Sequence, residues 1–234
     1  MIASLVAPSP AHAETRGVVE LFTSQGCSSC PAADKLMGEL ARDPSLVIMS
    51  APIDYWDYLG WRDTLAKPRH AARQRGYAKR RGDREVYTPQ AIVNGASQVV
   101  GSDRAAIERA LISTREAAPD TLTLPVKINS AAGKLHISIG ERHAGAAAEV
   151  WLCALAKGVP VEIGRGENSG RTVTYHNVVR RWVKLGDWTG AALSFDMSET
   201  ALSAEGADAV AVIVQTGTVE QPGALLGAAQ MSFR

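Results

Sequence analysis

The sequence predicts an α/β fold in its first half and a smaller all-β, sandwich-like unit in its second. Three observations carry that expectation. Residues 17–50 run strand, helix, strand, and the crossover length implies that the two strands are parallel. Asn94-Gly95 between two apolar runs is a hairpin turn signal. After Ala118-Pro119-Asp120 apolar and polar residues alternate and helical periodicity fades, as in an antiparallel sandwich. The division that follows is a segment 1–13, a first domain over 14–118 and a β-rich domain over 119–234.

Gly17–Thr23 is β-branched and aromatic, which suits a buried strand. Residues 30–42 suit a helix: Pro31 falls in the first turn, where its missing N–H costs nothing, and Ala33, Leu36, Met37 and Leu40 form one apolar face. Asp43-Pro44 ends it. Leu46–Ser50 is the second strand. The spacing predicts a helix over 64–81 with a break at Pro68. Strands flank Asn94-Gly95, and Ser102 is the expected N-cap of a closing helix to about Ala117. The second half offers strands at 121–129, 134–139, 149–156, 159–163, 172–183, 191–197, 209–215 and 228–233.

The chain has 234 residues, 25 Lys+Arg against 24 Asp+Glu, and a net charge of +1. This balance gives no reason to expect a nucleic-acid partner. No apolar run approaches the ~20 residues of a membrane span, so membrane insertion is not expected. Residues 1–13 read as the tail of a secretory signal or as a disordered N-terminus: Ile2–Ala7 is apolar, Pro8 and Pro10 break it, and Ala11-His12-Ala13 has the A-x-A cleavage form.

Of the three cysteines, Cys27 and Cys30 form a C-x-x-C pair placed after a strand and at the opening of a helix. The free N–H groups and the dipole of a helix N-terminus stabilise a thiolate at Cys27. Cys30 then lies within reach to resolve a mixed disulfide formed there. Two other readings stay open. Zinc needs two further ligands, and Cys153, His136, His143 and His176 show no ligand spacing with the pair. A structural disulfide closing so short a loop constrains the unfolded chain little. The dithiol reading calls for no metal and no cofactor.

Thr88-Pro89 precedes the hairpin. The order β, C-x-x-C helix, β, helix, Thr-Pro, β, Asn-Gly turn, β, helix is that of the thioredoxin core, in which a cis-proline faces the dithiol; Pro89 is therefore expected to be cis. The stretches VELFTSQGCSSCPAADKL, DYWDYLGWRD, YTPQAIVNG and GRTVTYHNVVR resemble a family of secreted bacterial thioredoxin-like proteins of unknown function. The resemblance spans about residues 17 to 233 and implies a thioredoxin-like first domain and an extracytoplasmic location. Ser28-Ser29 and Gly26 stand where wider thioredoxins commonly carry Gly-Pro and a preceding Trp.

Glu20 lies in the buried first strand. The resemblance implies a proton relay to Cys30; an ion pair with Lys35 or Arg16 is the plainer reading. Asp54, Tyr55, Trp56 and Trp61 follow the second strand at the end of the sheet where ligands bind. With Thr88 they are candidates for gripping a substrate, and a packed seal between domains is the alternative. Nine Lys/Arg over 62–84 read as a solvated helix face or as an electropositive surface. The glycine-rich loop 164–171 lacks the Gly-Lys-Ser/Thr ending of a phosphate cradle. Arg171, His176 and Asn177 are candidates for lining an interdomain groove. Cys153, in an apolar strand, reads as a buried inert thiol.

The function expected is extracytoplasmic, periplasmic or secreted, thiol–disulfide exchange: Cys27 is the nucleophile, Cys30 resolves, and Pro89 and Glu20 assist. The partner is a thiol- or disulfide-containing protein or redox partner. A non-catalytic binding or assembly protein, and a Cu(I)-handling thiol protein, are the alternatives.

Overall fold

The structure is a computed structural model describing residues 14–142 and 147–233. The expected signal segment and His143 lie outside the described residues. β1 (Gly17–Thr23) leads through a turn to α1 (Cys30–Leu40), then to β2 (Leu46–Pro52), which pairs parallel to β1 in the register Gly17–Leu46 to Thr23–Pro52. α2 (Pro68–Arg81) returns the chain to β3 (Gln90–Val93) and β4 (Ser97–Val100), an antiparallel hairpin beside β1. Asn94 and Gly95 hold the positive φ angles the turn requires, +51° and +67°. The Thr88–Pro89 peptide is cis, as expected. α3 (Arg104–Ala117) closes this half.

The helix expected over 64–81 begins only at Pro68. Lys67 is extended (φ −132°, ψ 135°), because the ring of Pro68 disfavours a helical residue before it. The cap of α3 is Asp103, not Ser102: its carboxylate accepts a hydrogen bond from Ala106 N.

The second half contains β5 (Val126–Ala131), β6 (Lys134–Ile139), β7 (Ala148–Ile163), β8 (Arg171–Trp188), β9 (Leu193–Ser198), a short α4 (Glu199–Ser203), β10 (Ala209–Gly217) and β11 (Pro222–Ser232). These strands do not all stand apart as a sandwich. One large mixed sheet runs β11-β10-β7-β8-β2-β1-β3-β4, while β5-β6-β9 form a separate antiparallel sheet. The runs 149–156 and 159–163 are one long strand, β7. The protein is thus a mixed α/β fold in which the sheet crosses residue 118. β8 joins β2 in parallel at Ser50–Val178.

Strand alternation places Val19 and Leu21 of β1 toward α1 and α3, with Leu36, Met37, Ile107 and Leu111. Phe22 faces the other way, onto Ala71 and Tyr77 of α2. The small sheet packs Ile128, Leu135 and Ile137 against Val150, Leu152 and Val212 of the large one.

Glu20 faces α2. Its carboxylate takes Nε of Arg73 at 2.6 Å and an Nη of Arg73 at 2.8 Å, and it also accepts the Tyr77 hydroxyl. Arg73, fully buried, further donates to Gln215 Oε1 at 2.8 Å and Val219 O at 3.1 Å, and lies over the Trp182 ring at 4.6 Å. This network ties α2 to β1 and β10. Neither Lys35 nor Arg16 serves Glu20; Arg16 pairs with Asp43 and Glu108. Breaking a buried pair from one side strands the other charge. We expect Arg73→Met to cost about 3–5 kcal/mol in denaturant unfolding, and Glu20→Gln/Arg73→Met together to cost less than that single change.

Candidate functional site

The dithiol turn hangs from the end of β1. Cys27 N donates to Ser24 O and Gly26 N to Ser24 Oγ, so the chain folds back before the helix starts. Cys27 and Cys30 form a disulfide with Cα atoms 5.4 Å apart. α1 begins at Cys30 itself, with Ser29 as N-cap, and Cys30 N donates to Cys27 O at 3.2 Å. Cys27 therefore sits three residues ahead of the first helical residue, as the expected helix start at residue 30 implies. Ser29 Oγ lies 3.4 Å from Cys27 Sγ. Ser28 and Ser29 are exposed, yet Cys27 is only 3% exposed and Cys30 is fully buried.

Three segments converge on this turn. From the loop after β2, Trp56 packs so near Gly26 that a Cβ there would fall 3.1 Å from its own Cβ. Its indole N–H donates to Thr88 Oγ1 at 2.8 Å, and exposed Tyr58 stacks on its ring. Trp61 donates to Gln25 Oε1 at 2.8 Å, and Tyr55 to Gln74 Oε1 at 3.2 Å. Asp54 is half-buried, and its carbonyl receives Asp57 N in a 3-10 turn over Asp57–Leu59.

The second segment is Thr88-Pro89. A Cβ on Gly101 would lie 3.2 Å from Pro89 Cβ and 3.3 Å from Ala33 Cβ, so Pro89 borders the first turn of α1. The third is the tip of the β7–β8 hairpin. Asn168 Nδ2, buried, donates to Gln25 O at 3.0 Å and to Cys27 O at 2.8 Å, and Glu167 Oε2 accepts Ser28 N at 3.3 Å. Arg171 braces Asn168 Oδ1 at 3.3 Å. His176 instead packs against Gly38 of α1, and Asn177 is buried beside the β8–β2 junction.

Glu20 is not among the residues brought to the pair, since alternation along β1 turns it to the opposite face of the sheet from α1. Another acid is. Asp34 stands four residues after Cys30, on the same face of α1. It is 1% exposed, and neither carboxyl oxygen has a hydrogen-bond partner in the protein. Burial pushes its pKa well up, and the charge of Asp63 adds to the rise, against the Thr23 hydroxyl nearby. Asp63 is buried but well bonded: it accepts the N–H groups of Gln25, Leu65 and Ala66. Its pKa is also raised, mainly by burial. Tyr175, buried beside both acids, is held neutral by desolvation and their charges. Thr23 Oγ1, Ser50 Oγ and Asn177 Nδ2 are further buried polar atoms lacking protein partners, on the strands under α1.

Asp34, Asp63 and Asn168 escaped the sequence reading. Asp34 carried a signal, its four-residue step from Cys30 on an apolar helix face. The glycines around Asn168 carried another. They mark close backbone approach to Trp61: a Cβ on Gly164 would lie 3.2 Å from its ring, and one on Gly166 3.5 Å from its Cβ. Cys153 is fully buried, and desolvation raises its pKa well above the ordinary thiol value. Among the described residues no group of three or more His, Cys, Asp or Glu is disposed to hold a metal ion, and no helix is long and apolar enough to cross a membrane.

No curated protein matches the chain. An X-ray crystal structure of protein AGR_C_4864 from Agrobacterium tumefaciens is similar to it, with 32% identity and a TM-score of 0.83 over 96% of this chain and 97% of that one. A family model described as "Protein of unknown function (DUF1223)" matches residues 18–215, so a chain built around a C-x-x-C disulfide at the head of a helix belongs to the DUF1223 family.

Proposed function

We propose that the protein is an extracytoplasmic thiol–disulfide oxidoreductase working through Cys27 and Cys30. The observation that carries this is the pairing of a disulfide at a strand–helix turn with a buried, unpartnered carboxyl one helical turn beyond the inner sulfur. The strand order β2-β1-β3-β4, with β1 and β2 parallel and β3 and β4 antiparallel, supports a thioredoxin-like reading of the first half. The A-x-A sequence at 11–13 supports export.

In the oxidised protein a substrate thiolate attacks Cys27 Sγ. The S–S electron pair passes to Cys30 Sγ, which leaves as a thiolate and takes the proton held by Asp34. A second substrate thiolate attacks the substrate sulfur of the mixed disulfide and expels Cys27 as a thiolate. Two substrate thiols thereby become a disulfide, and the protein carries the electrons; the reverse sequence reduces a substrate disulfide. Cys27 is the outer sulfur, with Ser29 Oγ positioned to donate to its thiolate. Half-buried Trp56, with exposed Tyr58 stacked on it, and Thr88 border the turn and would receive an apolar side chain of a polypeptide substrate.

Glutathione or insulin exchange tests the reading. Cys27→Ser is expected to fall to the uncatalysed rate; equal rates in variant and wild type would overturn it. The reduction potential of the pair gives the direction, an oxidant near ~−120 mV and a reductant near ~−270 mV. Asp34→Asn is expected to slow exchange about 100-fold.

The same acid has a stability signature. Its pKa is raised on folding, so its favourable contribution is full below the unfolded value of about 3.9 and is lost as pH rises through the folded pKa. Across that window the wild type should lose up to about 1.4 kcal/mol per pH unit relative to Asp34→Asn. Urea melts between pH 4 and 8 check this; parallel stability profiles for the two proteins would rule it out.

A further inference from the structure

Cys27 is only 3% exposed, so access to it depends on what packs over its turn. The tip of the β7–β8 hairpin is bonded to that turn. Asn168 supplies both of its side-chain N–H donors to carbonyls of the dithiol turn, and Glu167 takes the amide of Ser28. The tip is a closed unit of its own, with Ser169 N bonded to Gly166 O, Gly170 N to Ile163 O and Arg171 N to Asn168 O.

The arm that carries this tip differs from the rest of its sheet. β10 pairs with β7 only over Glu149–Leu155, and β2 pairs with β8 only at Val178. Beyond those points, among the described residues, Val159–Ile163 and Arg171–Tyr175 pair only with each other. An isolated two-stranded ribbon is marginal in water. This one is held down by one apolar face, where Ile163, Val173 and Tyr175 pack with Leu65 and Trp61, and by the contacts of its tip.

Its base is irregular. The pairing register shifts between Ala154 and Leu155, opposite Arg181 and Val179, and Asn177, two residues before Val179 on β8, has a φ of +49°. A ribbon leaving a continuous sheet through a bulge, held by its apolar face and by its tip, can lift without unpairing the sheet.

We infer that the β7–β8 arm is a latch over the dithiol, with Asn168 as the positioning residue that keeps Cys27 covered until a polypeptide substrate displaces the tip. This rests on the dithiol reading above. A substrate must offer main-chain or side-chain groups that replace the two Asn168 hydrogen bonds, so the latch selects extended polypeptides over small disulfides. Release of Asn168 speeds attack by any reagent at Cys27 Sγ and leaves the chemistry of the pair unchanged.

The test uses the full chain after reduction, with iodoacetamide as probe and peptide mass spectrometry to give separate rates at Cys27 and Cys153. Cys153 sits in the core between β8 and β10 and reports unfolding of the sheet itself. In Asn168→Ala the rate at Cys27 should rise about tenfold, the factor for about 1.4 kcal/mol of lost closure, with Cys153 unchanged. An unchanged Cys27 rate overturns the latch, and so does a parallel rise at both cysteines.

Asn168→Asp removes both donors at nearly constant size and serves if the alanine variant does not fold. Hydrogen exchange on the wild type is a second measurement. Amides of 159–175 should exchange well ahead of those of β10, and equal protection overturns the proposal. Alkylation needs no turnover, so absence of exchange activity in the wild type would end the oxidoreductase reading without touching the latch.

Discussion

The dithiol end of this molecule depends on where β8 lies. A two-layer reading of the second half would place its strands away from the cysteines. Instead β8 runs beside β2 and meets it at Val178 and Ser50, one strand away from β1. β1 and β2 are parallel, so both end at the dithiol. β8 bridges to β2 at a single position, and the hairpin tip that precedes β8 reaches the turn after β1 through Asn168, which donates to Cys27 O across 141 residues of sequence.

Two buried acids show how environment divides labour between chemically similar groups. Glu20 is fully compensated: a bidentate guanidinium, a phenol and a neighbouring amide surround it and its partner. Such a network fixes the approach of α2 to β1 and β10. Asp34 has none of these partners, and an ionised carboxylate there would be costly. Sequences tolerate an orphaned buried polar group at few places, and sites of chemistry are prominent among them. The contrast is one of partners: Glu20 is built into the packing of α2, whereas Asp34 lies buried on α1 with both oxygens unpartnered.

Local elements were legible in the sequence wherever period and punctuation agreed. Gly17–Thr23, the helix opening at Cys30, the Asn94-Gly95 turn and Lys134–Ile139 all lie where side-chain alternation and turn residues put them. The stretch 64–67 stays outside α2 because Pro68 disfavours a helical residue before it. What could not be read was which strands become neighbours. Apolar alternation in 149–163 says that one face is covered, not by what, and so a continuous eight-stranded sheet looked like a separate sandwich.

The same limit explains the site. Cys27, Cys30, Thr88, Pro89, Trp56 and Trp61 come from segments whose order along the chain implies proximity, and the structure gathers them. Asn168 comes from a loop whose glycines signalled close approach without naming the partner. The resemblance offers Glu20 as a relay to Cys30, with an ion pair as the alternative. Side-chain alternation along β1 decides otherwise: Leu21 faces α1, so Glu20 cannot. A period of two residues turns Glu20 away from α1 and the dithiol, and that parity was available before any coordinates.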